Sequence, residues 1–361
     1  MRPTRRRHLT PSTRSTSTTR PEPATRPEPA TSDGTATHPG STARRTRRTR
    51  RTLRAAATAA ATSAALALSA VVGAPAQAQQ LPVNYNFSSG FVRGFLTPQK
   101  APPGANNWSC RPSAAHPDPV VLVHGTFGNM NSTWRGAAPL LANNGYCVFA
   151  LTYGGPSPTS AIQGVGRITG SAASLASFVD RVLAATGADR VDLVGHSQGG
   201  AVARYYTKFL GGSTKVRRLV GMSPSGHGTT LDGLTTLGQA LHILEPVNRL
   251  LNTTFPALAD QQVGSPFITA LNAGGDTVPG ISYTTVVTRY DKVVTPYQTA
   301  YLSGPDTVNI TVQDQCEADL TDHLEMSYDP VALTYVLNAL DPEHPRGIPC
   351  QVVLPLTGPV H

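Results

Sequence analysis

From residue 120 onward, short apolar runs alternate with longer stretches in which apolar residues return every three or four positions. Val120-Val121-Leu122-Val123, bounded by Pro119 and Gly125, reads as a strand buried on both faces. Residues 146–153, 191–194, 216–222, 281–288 and 307–312 read as further strands. Between them, 132–142 carries Trp134, Ala138 and Leu141 on one helical side. Leu175, Phe178, Val179, Val182 and Leu183 make a second helix, with Gly187 just past its end. A third runs over 198–210, closed by Gly211-Gly212, and a last one opens at Asp329-Pro330 and ends near Leu340. This alternation predicts an α/β domain with a mostly parallel central sheet and helices on both faces.

Between Gly226 and Gly280 the pattern changes. Leu231, Leu234, Leu237, Leu241, Leu244, Leu250 and Leu251 recur at helical spacing without a clear strand. The stretch reads as a Leu-rich helical insertion, either ordinary core packing or a mobile flap over a binding cleft.

Charge divides the chain. The formal net charge of +9 suggests nucleic acid, but residues 1–78 hold 14 Arg against 3 acidic residues. That leaves 16 basic and 18 acidic residues for 79–361, a net of −2, so the body has no electrostatic footprint for nucleic acid. Residues 1–43 are rich in Thr, Ser, Pro and Arg, with Arg-Pro-Glu-Pro-Ala repeated, and cannot build a core. An Arg cluster ending at Arg54, an Ala-rich run over 55–74 and Ala76-Gln77-Ala78 then fit an export signal cleaved after Ala78. Thr49-Arg50-Arg51-Thr52-Leu53 resembles a twin-arginine signal, with the general secretory route as the alternative. The expected organisation is a leader over 1–78 and one domain over 79–361, with no membrane span after cleavage. The four cysteines Cys110, Cys147, Cys316 and Cys350 follow the leader, and an even number in an exported chain implies two disulfides. The shortest loops pair Cys110 with Cys147 and Cys316 with Cys350. No two cysteines have the close spacing of a zinc site, and no metal or other cofactor is assigned.

Gly195-His196-Ser197-Gln198-Gly199 fits G-x-S-x-G between a strand and a helix. A serine at the tip of such a turn projects its hydroxyl over the sheet, and the helix that begins there points N–H groups at developing charge. A neutral hydroxyl needs a base, and in this arrangement an acid and then a histidine follow on later strands. Of the later histidines, His227 comes too early, His242 lies in the insertion, and His344 and His361 belong to a Pro-rich tail. His323 follows the last strand by a short loop. Asp291 ends the strand 281–288, whereas Asp276 and Asp306 precede strands. Asp319 and Asp322 are substitutes for it. Oxyanion donors are expected from the backbone N–H of Gln198 and of Thr126, with Phe127 as the competitor for the second. His124 precedes Ser197 and reads as a structural residue holding that loop.

Four segments together resemble the secreted bacterial lipases of the class 2 type. They are Val121-Leu122-Val123-His124-Gly125-Thr126-Phe127-Gly128, Gly195-His196-Ser197-Gln198-Gly199-Gly200, Pro224-Ser225-Gly226-His227-Gly228-Thr229-Thr230 and Arg289-Tyr290-Asp291-Lys292-Val293-Val294-Thr295-Pro296. The resemblance runs from about Cys110 to Pro342 and implies an α/β-hydrolase fold. It also implies Ser197, Asp291 and His323 as a catalytic triad and Thr126 with Gln198 as the oxyanion hole. The implied activity is triacylglycerol lipase, on a lipid or small ester substrate and at a lipid–water interface. Leu231, Leu234, Leu237 and Leu241 then become candidates to line the acyl side. Short-chain carboxylesterase or polyester hydrolase is the alternative within enzymes. An inactive hydrolase-fold binding protein is the alternative outside them, and it predicts a missing triad member.

Overall fold

The computed structural model describes residues 80–240 and 255–360. The segment expected to act as a leader, the expected cleavage site, and Leu241, His242, Leu244, Leu250, Leu251 and His361 lie outside the described residues.

Six strands form one parallel sheet: β1 (Val120–Val123), β2 (Val148–Leu151), β3 (Val191–His196), β4 (Val216–Met222), β5 (Ser282–Val287) and β6 (Thr307–Thr311). Their order is β2-β1-β3-β4-β5-β6. Parallel neighbours require crossovers, and the helices that supply them cover both faces. Successive side chains of a strand point to opposite faces, so each strand feeds two cores. Val121, Val123, Phe149 and Leu193 join Leu175, Val179 and Val182 of α4 (Ile168–Thr186) and Val202 and Tyr206 of α5 (Gln198–Phe209). Val120, Leu122 and Val194 join Trp134, Leu141 and the helix Pro330–Leu340 on the other face. Every residue of β1 is fully buried, and each such side chain is worth about 2 kcal/mol relative to exposure.

The helix expected over 132–142 is instead two, α2 (Met130–Trp134) and α3 (Ala137–Asn143). The break falls at Gly136, where a Cβ would stand 2.8 Å from the carbonyl oxygen of Asn84 and 3.1 Å from that of Ser327. Asn129 caps α2 with a reciprocal bond to Ser132. Among the described residues, α1 (Phe87–Phe95), the short helix Val312–Gln315 and a small antiparallel pair, Val353–Leu354 with Gly358–Pro359, have no counterpart in the periodicity. The strand expected over 146–153 is only Val148–Leu151. In the insertion, α6 (Leu231–Ala240) and the short helices Pro256–Asp260 and Pro266–Asn272 are formed.

Disulfides join Cys110 to Cys147 and Cys316 to Cys350, across 37 and 34 residues, the shortest-loop pairing. The first ties the segment before β1 to the start of β2. The second ties the chain leaving β6 to the C-terminal hairpin. No helix among the described residues is long and apolar enough to cross a membrane.

Candidate active site

Ser197 joins β3 to α5 with φ 54° and ψ −122°. A non-glycine residue held there costs on the order of 1–3 kcal/mol and needs its surroundings to enforce it. Two contacts do so. The Ser197 N–H donates to the Met222 carbonyl on β4 at 2.9 Å, and the Ser197 carbonyl accepts from Gly200 at 3.0 Å. The turn is too tight for side chains on either flank. A Cβ on Gly195 would sit 2.6 Å from the backbone of Gly199, and one on Gly199 would sit 2.0 Å from the Val123 carbonyl oxygen.

His323 and Asp291 come together from two loops at the same end of the sheet. His323 Nδ1 lies 2.8 Å from Asp291 Oδ2, and both side chains are buried. The other carboxylate oxygen, Oδ1, accepts the backbone N–H groups of Val293 and Val294 at 2.8 Å each. With its carboxylate so held, Asp291 fixes the imidazole with the proton on Nδ1. His323 Nε2 is buried and has no hydrogen-bond partner among the described residues, so it is not bonded to the Ser197 hydroxyl here. Such contacts commonly tighten only with substrate bound.

A residue that the motif treats as variable ties the serine turn to the His323 loop. His196 Nε2 donates to the His323 carbonyl at 2.8 Å, and the two rings lie 5.0 Å apart. Burial, with His323 nearby, pushes the His196 imidazole down to about 3, so it stays neutral. The residue preceding the serine thus holds the backbone of the histidine. Its partner lies 127 positions away, and no local signal announces it.

Among the described residues, His227, His124 and the substitute acids are committed elsewhere. His227 has Nδ1 on the Thr299 carbonyl and Nε2 on Asp276, which is also ion-paired to Arg204. His124 has Nδ1 on the Gly125 carbonyl at 2.8 Å and accepts from Tyr153 N–H at 3.3 Å, while the Tyr153 hydroxyl donates to the His124 carbonyl. Burial pushes His124 down to about 4, and with both ring nitrogens engaged it holds the loop rather than serving as a base. Asp319 accepts from Thr321 N–H, and Asp322 accepts from Glu325 N–H. Neither reaches the His323 ring nitrogen.

Beside the serine, the backbone N–H of Thr126 makes no hydrogen bond to a described residue, nor does that of Gln198, the first residue of α5. The Thr126 hydroxyl accepts from Gln198 Nε2 and from Gln261 Nε2, at 2.9 Å each. Gln261 Oε1 accepts from the Ser225 hydroxyl. Gln261 lies in the insertion and sequence reasoning passed it over. Phe127, the competing donor, has φ 65° and buries its ring against Phe255. Leu231 and Leu234 lie on α6. Leu237 of the same helix is buried with Phe127, Val293 and Leu324. Among the described residues no group of three or more His, Cys, Asp or Glu side chains is arranged to hold a metal ion.

Residues 117–336 match the family described as Lipase (class 2). Two curated relatives, each named triacylglycerol lipase, come from Pseudarthrobacter phenanthrenivorans and Burkholderia plantarii. Each is 38% identical over 92 residues, 24% of this chain. Those segments cover 27% and 24% of the two relatives, so the chain spans about a quarter of their length. Aspergillus fumigatus lipase B shares the fold with a TM-score of 0.52 at 20% identity, over 69% of this chain and 56% of that one.

Proposed function

The chain belongs to the class 2 lipase family, and from that premise we propose that it is a secreted serine ester hydrolase, a triacylglycerol lipase acting through Ser197, His323 and Asp291. The observation that carries the reading is the buried His323 imidazole, with one nitrogen on Asp291 and the other unpartnered, anchored through His196 to the serine turn.

The Ser197 oxygen attacks the ester carbonyl while His323 Nε2 takes its proton. Asp291 stabilises the imidazolium that forms and keeps its orientation. The N–H groups of Thr126 and Gln198 receive the negative charge of the tetrahedral oxygen, each worth about 3 kcal/mol of barrier. His323 then gives the proton to the leaving alcohol. Water, activated by the same imidazole, releases the acid from the acyl-enzyme. Of the candidates in the insertion, Leu237, buried with Phe127, Val293 and Leu324, is the one whose surroundings fit an apolar wall that meets the substrate. Residues 79–361 form the catalytic domain, and 1–78 act as the export leader. Two disulfides support an oxidising destination.

A serine-directed fluorophosphonate applied to the protein tests the chemistry. An adduct on Ser197, lost in Ser197→Ala, is expected, and an unlabelled protein would instead favour the binding-protein reading. Rates on p-nitrophenyl esters from acetate to palmitate test the substrate class. A steep fall beyond butyrate removes the lipase assignment and leaves an esterase.

A further inference from the structure

Helix α1 reads as FSSGFVRGF, and its three phenylalanines fall four apart on one stripe. Their rings stack in a row, with centroids 5.0 Å apart between Phe87 and Phe91 and 5.5 Å between Phe91 and Phe95. Phe87 is buried, edge-on to Tyr328 at 5.7 Å. Phe91 and Phe95 are only half-buried, and Val92 and Leu96 beside them are exposed. The row therefore runs from the interior to the surface.

Its inner end opens onto the site. Phe87 and Phe91 line a crevice with Gly125, Thr126, His196 and Leu324. A Cβ on Gly125 would come within 3.0 Å of Ser197 Cβ, so the crevice borders the serine turn. Its cavity volume is about 20 Å³, roughly the space of one water. A chain entering it must turn the half-buried Phe91 ring outward.

The helix itself is firmly seated. A Cβ on Gly90 would lie 2.3 Å from the Tyr328 ring, and one on Gly94 would lie 2.3 Å from the Ser132 backbone. The Phe87 N–H donates to Glu325 Oε2 at 3.0 Å, two residues beyond His323, and the Ser88 N–H donates to the Leu356 carbonyl. A rigid helix with adjustable aromatic side chains suits a cleft wall better than a lid.

Resting on the reading of Ser197 given above, we propose that α1 is a wall of the substrate cleft and that Phe91 governs the length of apolar chain the site accepts. The occupant is the hydrocarbon chain of the ester, on its acyl or its alcohol side. This places selectivity on a helix before the first strand as well as on the Leu-rich insertion.

The test compares the full-length parent with Phe91→Trp, Phe91→Leu and Arg93→Trp, the last an exposed position on the same helix. One ester series varies the acyl chain from acetate to palmitate, and the other varies the alcohol from methyl to octyl. Phe91→Trp is expected to lower the long-to-short ratio of kcat/KM roughly tenfold in one series, and Phe91→Leu to raise it roughly threefold. Arg93→Trp is expected to leave that ratio at the parent value. The series that responds identifies which side of the ester lies on the ladder. If Phe91→Trp fails to fold, the Phe91→Leu ratio decides. A parent labelled at Ser197 whose ratios in both series ignore position 91 overturns the assignment of α1 alone. A parent not labelled at Ser197 overturns the reading of the serine, and this inference with it.

Discussion

Gln198 Nε2 donates to the Thr126 hydroxyl at 2.9 Å, so the two residues proposed to supply the oxyanion donors are bonded to each other through their side chains. Gln261 adds a second N–H to the same hydroxyl from the insertion. Donors aimed before reaction need no reorganisation when charge develops. Thr126→Val keeps the shape and removes the oxygen, leaving two buried amide N–H groups without this acceptor. We expect kcat to fall about a hundredfold, with a smaller change in KM and with Thr126→Ser retaining most activity. Steady-state kinetics on a soluble ester checks it, and unchanged kcat in the Val variant would remove the coupling from catalysis.

Asp291→Asn separates the three candidate acids. The side-chain oxygen of Asn can still accept the N–H groups of Val293 and Val294, but its NH2 then faces His323 Nδ1 and forces the proton onto Nε2. That tautomer cannot take a proton from serine. A fall in kcat of about 10⁴-fold is expected with little change in melting temperature. A variant near parent activity would transfer the role to Asp319 or Asp322.

Glu325 gives the fold a pH dependence. It is fully buried, and burial together with the charges of Asp322, Asp329 and Asp319 pushes its carboxyl up to about 9 from 4.5. Below about 4.5 it is protonated in folded and unfolded chains alike; between there and about 9 only the unfolded chain ionises. Folding therefore takes up a proton in that window, and stability falls as the pH rises through it. Glu325→Gln keeps the acceptor for the Phe87 N–H and removes the titration. The variant should match the parent near pH 4.5 and gain progressively above it, by up to about 3 kcal/mol at pH 7. Denaturant melts across that range measure the difference, and parallel curves for the two proteins would refute the assignment.

Arg204 is a stability determinant. It is almost fully buried and ion-paired with Asp276 at 3.2 Å, and it donates to the Gly226 carbonyl and to Asn272 Oδ1. Removing one partner of such a pair leaves the other charge buried. Arg204→Met should cost about 3–5 kcal/mol in chemical denaturation. A loss below 1 kcal/mol would mean that Asp276 finds other compensation from His227 and Ser303.

The strands were legible because runs such as Val120-Val121-Leu122-Val123 are buried on both faces and carry their own signature. The positions of Ser197 and Asp291 beyond strand ends were legible for a related reason: strand ends are marked by where apolar runs stop. The break at Gly136 was not, because the groups that crowd it, Asn84 and Ser327, are remote in the chain. Helix α1 hid behind two serines and two glycines, and the small size of Gly90 and Gly94 makes sense only against Tyr328 and Ser132. His196 and Gln261 likewise act through partners that only folding supplies. Local pattern carried the serine turn and the scaffold, and tertiary contact supplied the groups that hold that turn in place.

The strand order has a consequence in time as well as in space. Ser197 follows the third strand, but the imidazole that would activate it follows the sixth, and the helix after that, Pro330–Leu340, closes one face of the sheet. If His323 is that base, as proposed, a nascent or truncated chain that ends before residue 323 carries a serine with ordinary alcohol reactivity. On the proposed reading, every residue up to 323 must be made before the serine can act, and a cut ahead of that position removes the hydrolysis.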